Sequence, residues 1–192
     1  MKRFLMFVIF AMVCMAASPV QAARGKKYVA GNLAFGVLAD AADIISEISF
    51  KSGWGLIAAL GYDTGKNIRF EGEVSLRAYD IKKINVKGVG TIPVEGDFSA
   101  FSYMANGYYD FKPVRRLLRP YVGIGFGITR VDFEFQGLFS QGSTEMAFQA
   151  MLGLGYRYSR KTVLTKGYRF FGFTDNEGAF VHELNLGVRF ML

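Results

Sequence analysis

Glu71 and Glu73 stand two positions apart, a spacing that puts both carboxylates on one side of an extended strand and could divide proton-donor and proton-acceptor roles between them. Arg69 and Arg77 fall on the same side. Charges placed this way can equally neutralise one another inside a closed interior, where an unpaired ion is costly. Gly123-Ile-Gly-Phe-Gly127 has the spacing of a phosphate-binding loop, but it lies within a strand pattern and no helix follows. Its glycines read instead as room for large side chains projecting from other strands. His182 is the only histidine, and Cys14 the only cysteine, so no His/Cys metal cluster can form and no cofactor site is expected.

The element that must position the acids and arginines is the stretch Asn67–Tyr79. Ile68, Phe70, Gly72, Val74, Leu76 and Ala78 alternate there with Arg69, Glu71, Glu73, Ser75, Arg77 and Tyr79. A period of two is a β-strand with one apolar and one charged face. Segments of this kind recur along the chain. They are expected at about Lys27–Leu38, Gly53–Tyr62, Asn67–Tyr79, Phe98–Phe111, Tyr121–Arg130, Thr144–Tyr158, from after Thr162 to Phe173, and Phe180–Leu192. Eight such strands behind a secretion signal predict an all-β fold, an eight-stranded antiparallel transmembrane barrel with apolar residues toward lipid and polar residues toward a filled lumen.

The signal is residues 1–22. Lys2 and Arg3 precede the apolar run Phe4–Ala17, and Ser18-Pro-Val-Gln-Ala22 supplies small residues for cleavage after Ala22. The run is shorter than the roughly 20 apolar residues of a membrane-spanning helix. Cys14 lies inside the run behind bulky Val13, which argues against lipid modification, and the mature chain 23–192 then holds no thiol. Of 23 basic residues the signal removes two, leaving 21 against 16 acidic ones, a net +5 that looks modest and scattered along the sequence. No Lys/Arg cluster of the kind that tracks phosphates stands out, so nucleic acid is not an expected partner. Aromatic residues make up 16%, which suits girdles at both membrane interfaces.

Connections after the second, fourth and sixth strands are short, whereas 39–52, 80–97 and 131–143 are long. Bacterial barrels keep short turns on the periplasmic side and long loops outside. Tyr62, Tyr109, Phe111, Tyr121, Tyr156 and Tyr158 fall beside the short turns and are expected to form the periplasmic aromatic girdle. Inside the barrel, Arg69, Arg77, Arg157, Arg169 and Arg189 against Glu71, Glu73, Glu145 and Glu183 are expected to form a paired charge network. The outer segments carry Ile44, Ile45, Ile48 and Phe50, and Ile81, Ile84, Val86, Val89, Ile92 and Val94. These apolar residues either mark a binding surface or continue the strands as a β extension, with Gly88-Val-Gly90 as hairpin tip.

Met104-Ala-Asn-Gly-Tyr-Tyr-Asp-Phe111, Arg119-Pro-Tyr-Val-Gly-Ile-Gly-Phe-Gly127, Gly153-Leu-Gly-Tyr-Arg157 and Gly167-Tyr-Arg169 follow one another in an order that resembles the opacity-type, porin-like eight-stranded outer-membrane β-barrel family. The resemblance spans the mature chain and implies residence in the bacterial outer membrane, among phospholipid and lipopolysaccharide, after handling by the barrel-assembly machinery. Members usually end on an aromatic residue, whereas here Phe190 is followed by Met191-Leu192. The family includes surface antigens and adhesins, so the expected role of this monomeric barrel is structural or surface-exposed, with adhesion or partner binding through the outer loops. A narrow channel for water, ions or small solutes is the second reading. A lipid A-modifying enzyme is the third; the deacylase type uses a histidine and a serine two residues apart, and Leu184 occupies that position after His182.

Overall fold

The computed structural model of the chain describes residues 25–40, 51–86, 90–135, 139–173 and 179–192. The signal segment 1–22 with Cys14, the residues Ile44, Ile45, Ile48 and Phe50, and Gly88 and Val89 of the expected hairpin tip lie outside them. Eight strands follow in chain order: β1 Lys26–Asp40, β2 Lys51–Asp63, β3 Ile68–Val86, β4 Gly90–Asp110, β5 Leu118–Phe135, β6 Phe139–Arg157, β7 Thr162–Phe173 and β8 Ala179–Met191. Each pairs antiparallel with the next, and β8 returns to β1 through a register running from Tyr28 opposite Met191 to Asp40 opposite Ala179. Closure leaves no edge strand where the wall crosses the membrane, so the ladder groups there find partners on neighbouring strands. Lipid offers backbone amides no alternative partner.

The turns at one end are compact. Asp63 Oδ1 accepts from Gly65 N at 2.8 Å, and Thr64 Oγ1 donates to Ile68 O at 2.9 Å. Gly65 and Asn67 there take positive φ, 74° and 69°, which glycine and asparagine tolerate best. Between β4 and β5, Val114 N donates to Leu118 O at 3.0 Å, and between β6 and β7 Ser159 Oγ accepts from Thr162 N at 3.0 Å.

The opposite end departs from the strand limits read from sequence. β3 and β4 are 19 and 21 residues long, and β5 and β6 are 18 and 19, although about 9 to 11 residues suffice to cross a bilayer. Most of 80–97 and 131–143 is therefore not loop. It continues as two paired hairpins, with Val86 opposite Gly90 and Phe135 opposite Phe139. A register shift between Ile81 and Lys83 bends β3 along this overhang.

Side chains sort by parity. Leu33, Phe35, Trp54, Leu56, Leu60, Phe70, Ile124, Phe126, Leu152, Leu184 and Leu186 all point outward and stand half exposed or more. A belt of that area on a soluble protein would drive aggregation; around a barrel it is the lipid contact. Inward, four tyrosines lie directly opposite glycines on neighbouring strands: Tyr28 and Gly61, Tyr79 and Gly53, Tyr108 and Gly123, Tyr121 and Gly153. A Cβ at any of these glycines would strike the facing ring. Each ring thus covers the bare backbone across from it.

Leu152→Arg, on the lipid face, is expected to cost about 2–4 kcal/mol near the midplane. Gly153→Ala, one residue away on the lumen face, must displace Tyr121 and is expected to cost about 1–3 kcal/mol by overpacking. Urea unfolding in phospholipid vesicles measures both. An unchanged midpoint for Leu152→Arg would reverse the faces assigned to β6.

Candidate functional site

The lumen is filled from the short-turn end upward by three layers of charge. In the lowest, Arg69 Nε donates to Asp110 Oδ2 at 2.8 Å and Arg69 Nη1 to Glu71 Oε1 at 3.0 Å. Tyr28 OH donates to the same Glu71 oxygen at 2.6 Å and accepts from Arg69 Nη1 at 2.9 Å. The guanidinium also lies 4.4 Å from the centroid of Tyr108 and 5.5 Å from that of Tyr121, where ring faces favour a cation.

The middle layer centres on Glu73. Arg169 Nη1 donates to Glu73 Oε1 at 2.6 Å, and Asn106 Nδ2 to Glu73 Oε2 at 2.8 Å. Gln149 bridges the two supporters, donating to Asn106 Oδ1 at 2.7 Å and accepting from Arg169 Nη1 at 2.9 Å. In the upper layer Arg77 Nε donates to Glu183 Oε1 at 2.8 Å, Tyr79 OH donates to the same oxygen at 2.8 Å, and Arg77 Nη1 donates to Ser75 Oγ at 2.7 Å. Arg169 Nε, 4.0 Å from Glu183 Oε2, joins the upper two layers. Above them Tyr79, Val131, Phe171, Phe173 and Val181 pack with Ala100 and Ala147 into a buried apolar cluster. Phe171 also takes the Arg77 guanidinium on its face, 4.0 Å from the centroid.

Six of the nine charges read from sequence therefore come together as ion pairs: Arg69, Glu71, Glu73, Arg77, Arg169 and Glu183. Arg189 is buried in the lumen without a carboxylate partner among the described residues, its guanidinium 5.3 Å from the Tyr28 ring and its Nε and Nη1 lacking acceptors there. Glu145 has inward parity but sits half-buried above the network, beside Thr129, with no ion pair to a described residue. Arg157 is exposed at the short-turn rim and takes no part. Asp110, Tyr28, Asn106 and Gln149 are network members that the expected list lacked. Asp110 shares the parity of Asn106 and Tyr108, which is the signal that would have found it.

The girdle needs one correction. Tyr109, Phe111, Tyr156 and Tyr158 are exposed beside the short turns, and Tyr62 is half-buried there. Tyr121 instead points inward with Gly123, packing edge-on to Tyr108 at 5.9 Å. Its position beside a turn suggested the interface, whereas its parity decided the matter.

Small inward residues on β1, β7 and β8 leave a cavity of about 40 Å³ in the short-turn half, lined by Asn32, Arg69, Glu71, Tyr121, Arg169 and Arg189 among others. Its lining is polar and its size suits a few waters. On the outer wall, Tyr168 OH hydrogen-bonds His182 Nδ1, and Phe148, Phe170 and Phe180 cluster beside them. Glu183 next to His182 faces the lumen, and among the described residues no carboxylate bonds that imidazole. Among the described residues no group of three or more His, Cys, Asp or Glu is placed to hold a metal ion.

A closed eight-stranded wall with an apolar exterior and a charged, packed interior defines an integral barrel of the bacterial outer membrane. The chain belongs to the outer membrane protein beta-barrel domain family, whose model matches residues 6–191. Among solved structures it is similar to Neisserial surface protein A (NspA), with a TM-score of 0.66 and 20% identity over 88% of this chain and 100% of that one. Ail of Yersinia pestis, solved with the heparin analogue sucrose octasulfate, gives a TM-score of 0.55 at 14% identity over 88% and 100%. OprG of Pseudomonas aeruginosa gives 0.53 at 10% over 90% and 99%. At these identities the likeness shows the fold. No curated protein sequence matches the chain.

Glu73→Gln is expected to strand Arg169 and destabilise the barrel by about 3–5 kcal/mol. Arg157→Gln, at the exposed rim, should change stability by less than about 0.5 kcal/mol. Equilibrium unfolding in vesicles compares the two. Equal effects would show that the network does not hold the lumen together.

Proposed function

We propose that the protein is a non-enzymatic surface barrel whose lumen is a structural plug and whose projecting hairpins carry any contact with the exterior. The observation that supports the plug is the layered charge network capped by Tyr79, Val131, Phe171, Phe173 and Val181, which fills an interior only wide enough for side chains. The hairpins β3–β4 and β5–β6 stand beyond the span a bilayer needs, and they lie at the end opposite the short turns, the end that bacterial barrels turn outward. The barrel acts as a monomer, since the membrane-crossing wall is closed and offers no edge strand there to a second copy. Lipopolysaccharide and phospholipid surround its apolar wall, and the barrel-assembly machinery delivers it.

Charge narrows the class of outer ligand. At strand positions of the long-hairpin end, Asp40, Asp80, Glu95, Asp97, Asp132, Glu134 and Glu145 outnumber Lys51, Lys82, Lys83 and Arg130, seven to four. A polysulfated ligand of the kind seen with Ail would meet net repulsion here. A cationic or apolar partner fits better.

The cavity around Arg189 favours a second reading, a narrow path for water or ions. The two separate in planar bilayers: the plug gives no steady conductance in the purified wild-type protein, whereas ion-selective currents shifted by Glu73→Gln would establish the path. Orientation has its own test. Cysteines at Lys87 and Gln141 should react with a membrane-impermeant reagent on whole cells, and cysteines at Thr64 and Lys161 should not. Labelling at Thr64 with silence at Lys87 would invert the barrel.

A further inference from the structure

Positive charge that is dispersed in the sequence is gathered by the fold at one rim. Lys26, Lys27, Lys66, Lys112, Arg115, Arg116, Arg119, Arg157, Arg160 and Lys161 all lie at the short-turn end. Two acids are nearby. Asp110 is consumed by Arg69 inside the lumen, and Asp63 is turned onto its own loop amide. Among the described side chains, ten basic residues against Asp63 leave 10 − 1 = +9 at this rim, while the described strand positions of the other rim sum to 4 − 7 = −3. Arg115, Arg116, Arg119, Arg157 and Arg160 have no carboxylate partner among the described residues.

These cations are interleaved with exposed apolar and aromatic residues at the same level. Phe111, Val114 and Leu117 flank Lys112, Arg115 and Arg116, and Tyr156 and Tyr158 flank Arg157. Rings with polar tips beside basic side chains match the headgroup layer, where each finds its preferred medium. Lys166 adds a sign of depth. It is exposed on the outward face of β7 with Leu154 and Leu186 as its register partners, four residues above the short-turn end. A lysine so placed is tolerated in hydrocarbon when its stem can carry the ammonium to the phosphate level.

From the juxtaposition of this cationic rim with its aromatic belt, we propose that the short-turn end is a binding collar for anionic glycerophospholipids, which gathers their phosphates around the barrel. A soluble polyanion would not need the apolar residues between the cations. Assigning the collar to the periplasmic leaflet rests on the orientation proposed above; the affinity itself does not.

The test uses the full mature barrel in phosphatidylcholine bilayers with spin-labelled phosphatidylglycerol or spin-labelled phosphatidylcholine as probe. Electron spin resonance reads the fraction of each lipid immobilised on the protein, in either orientation. The wild type should prefer phosphatidylglycerol by roughly five-fold, the factor one basic residue supplies near an anionic surface, and the preference should shrink as salt approaches molar levels. Arg115→Ser/Arg116→Ser/Arg119→Ser, at exposed or half-exposed positions that leave the lumen network untouched, should abolish most of it, while Arg130→Ser at the other rim should not. Equal immobilisation of both lipids by the wild type, or an unchanged preference in the triple variant with folding verified by heat-dependent gel mobility, overturns the collar. Stronger displacement of the probe by inorganic polyphosphate than by unlabelled phosphatidylglycerol would transfer the surface to a soluble polyanion and also overturn it. Inverted cysteine labelling on cells would instead move the collar to the outer leaflet without touching its chemistry.

Discussion

Everything in this molecule follows from the demand that no backbone amide or carbonyl be left unpaired in hydrocarbon. Eight strands meet it only as a ring, and the ring requires β1, at the start of the folded chain, to pair with β8 at its end. Closure at this strand number fixes a narrow interior. A narrow interior in turn forces inward side chains to satisfy one another, because too little water can enter to do it.

The lumen meets that second demand by near-exact charge matching. Four arginines, Arg69, Arg77, Arg169 and Arg189, are buried with four acids, Glu71, Glu73, Asp110 and Glu183. The match is global and not pairwise: the Arg69 group holds one carboxylate too many, and Arg189 holds none. Tyr28 lies between them, with Glu71 on its hydroxyl and Arg189 off its face. Water in the adjoining cavity can then complete the guanidinium's hydrogen bonds without a further ion.

Much of this was legible in the alternation of residues, since each strand position meets one of two solvents. Alternation says which side a residue faces and nothing about height. Glu145 and Arg157 share the parity of Gln149 and Met151 yet sit above and outside the network, because height comes from the stagger between strands, which no single strand encodes. The overhang of β3 to β6 was ambiguous for a related reason: Ile84 and Val86 keep the same period beyond the bilayer as within it. Tyr121 was misplaced through trust in the neighbouring turn, where tyrosines are usually interfacial, and Asp110 went unassigned although its parity matches that of Asn106 and Tyr108. The basic rim was invisible because its members are far apart in sequence. They meet only when every second connection returns the chain to the same edge.

The tyrosine–glycine pairs bear on the order in which the wall can be assembled. Each joins strands adjacent in sequence: Tyr28 with Gly61 keys β1 to β2, Tyr79 with Gly53 keys β2 to β3, Tyr108 with Gly123 keys β4 to β5, and Tyr121 with Gly153 keys β5 to β6. A slip of two residues keeps every face correct, yet it sets Tyr28 against Ala59 or Asp63, where side chains occupy the place of the ring. Hairpins can thus find their alignment one at a time. The seam between β1 and β8 joins the two ends of the chain and carries a different key: Asn32 lies over Gly187, its Oδ1 held by Thr165 Oγ1 of β7 at 3.2 Å. A polar key that reaches across to a third strand can latch only once β7 and β8 are already paired, so the last joint to form is also the one that verifies its neighbour.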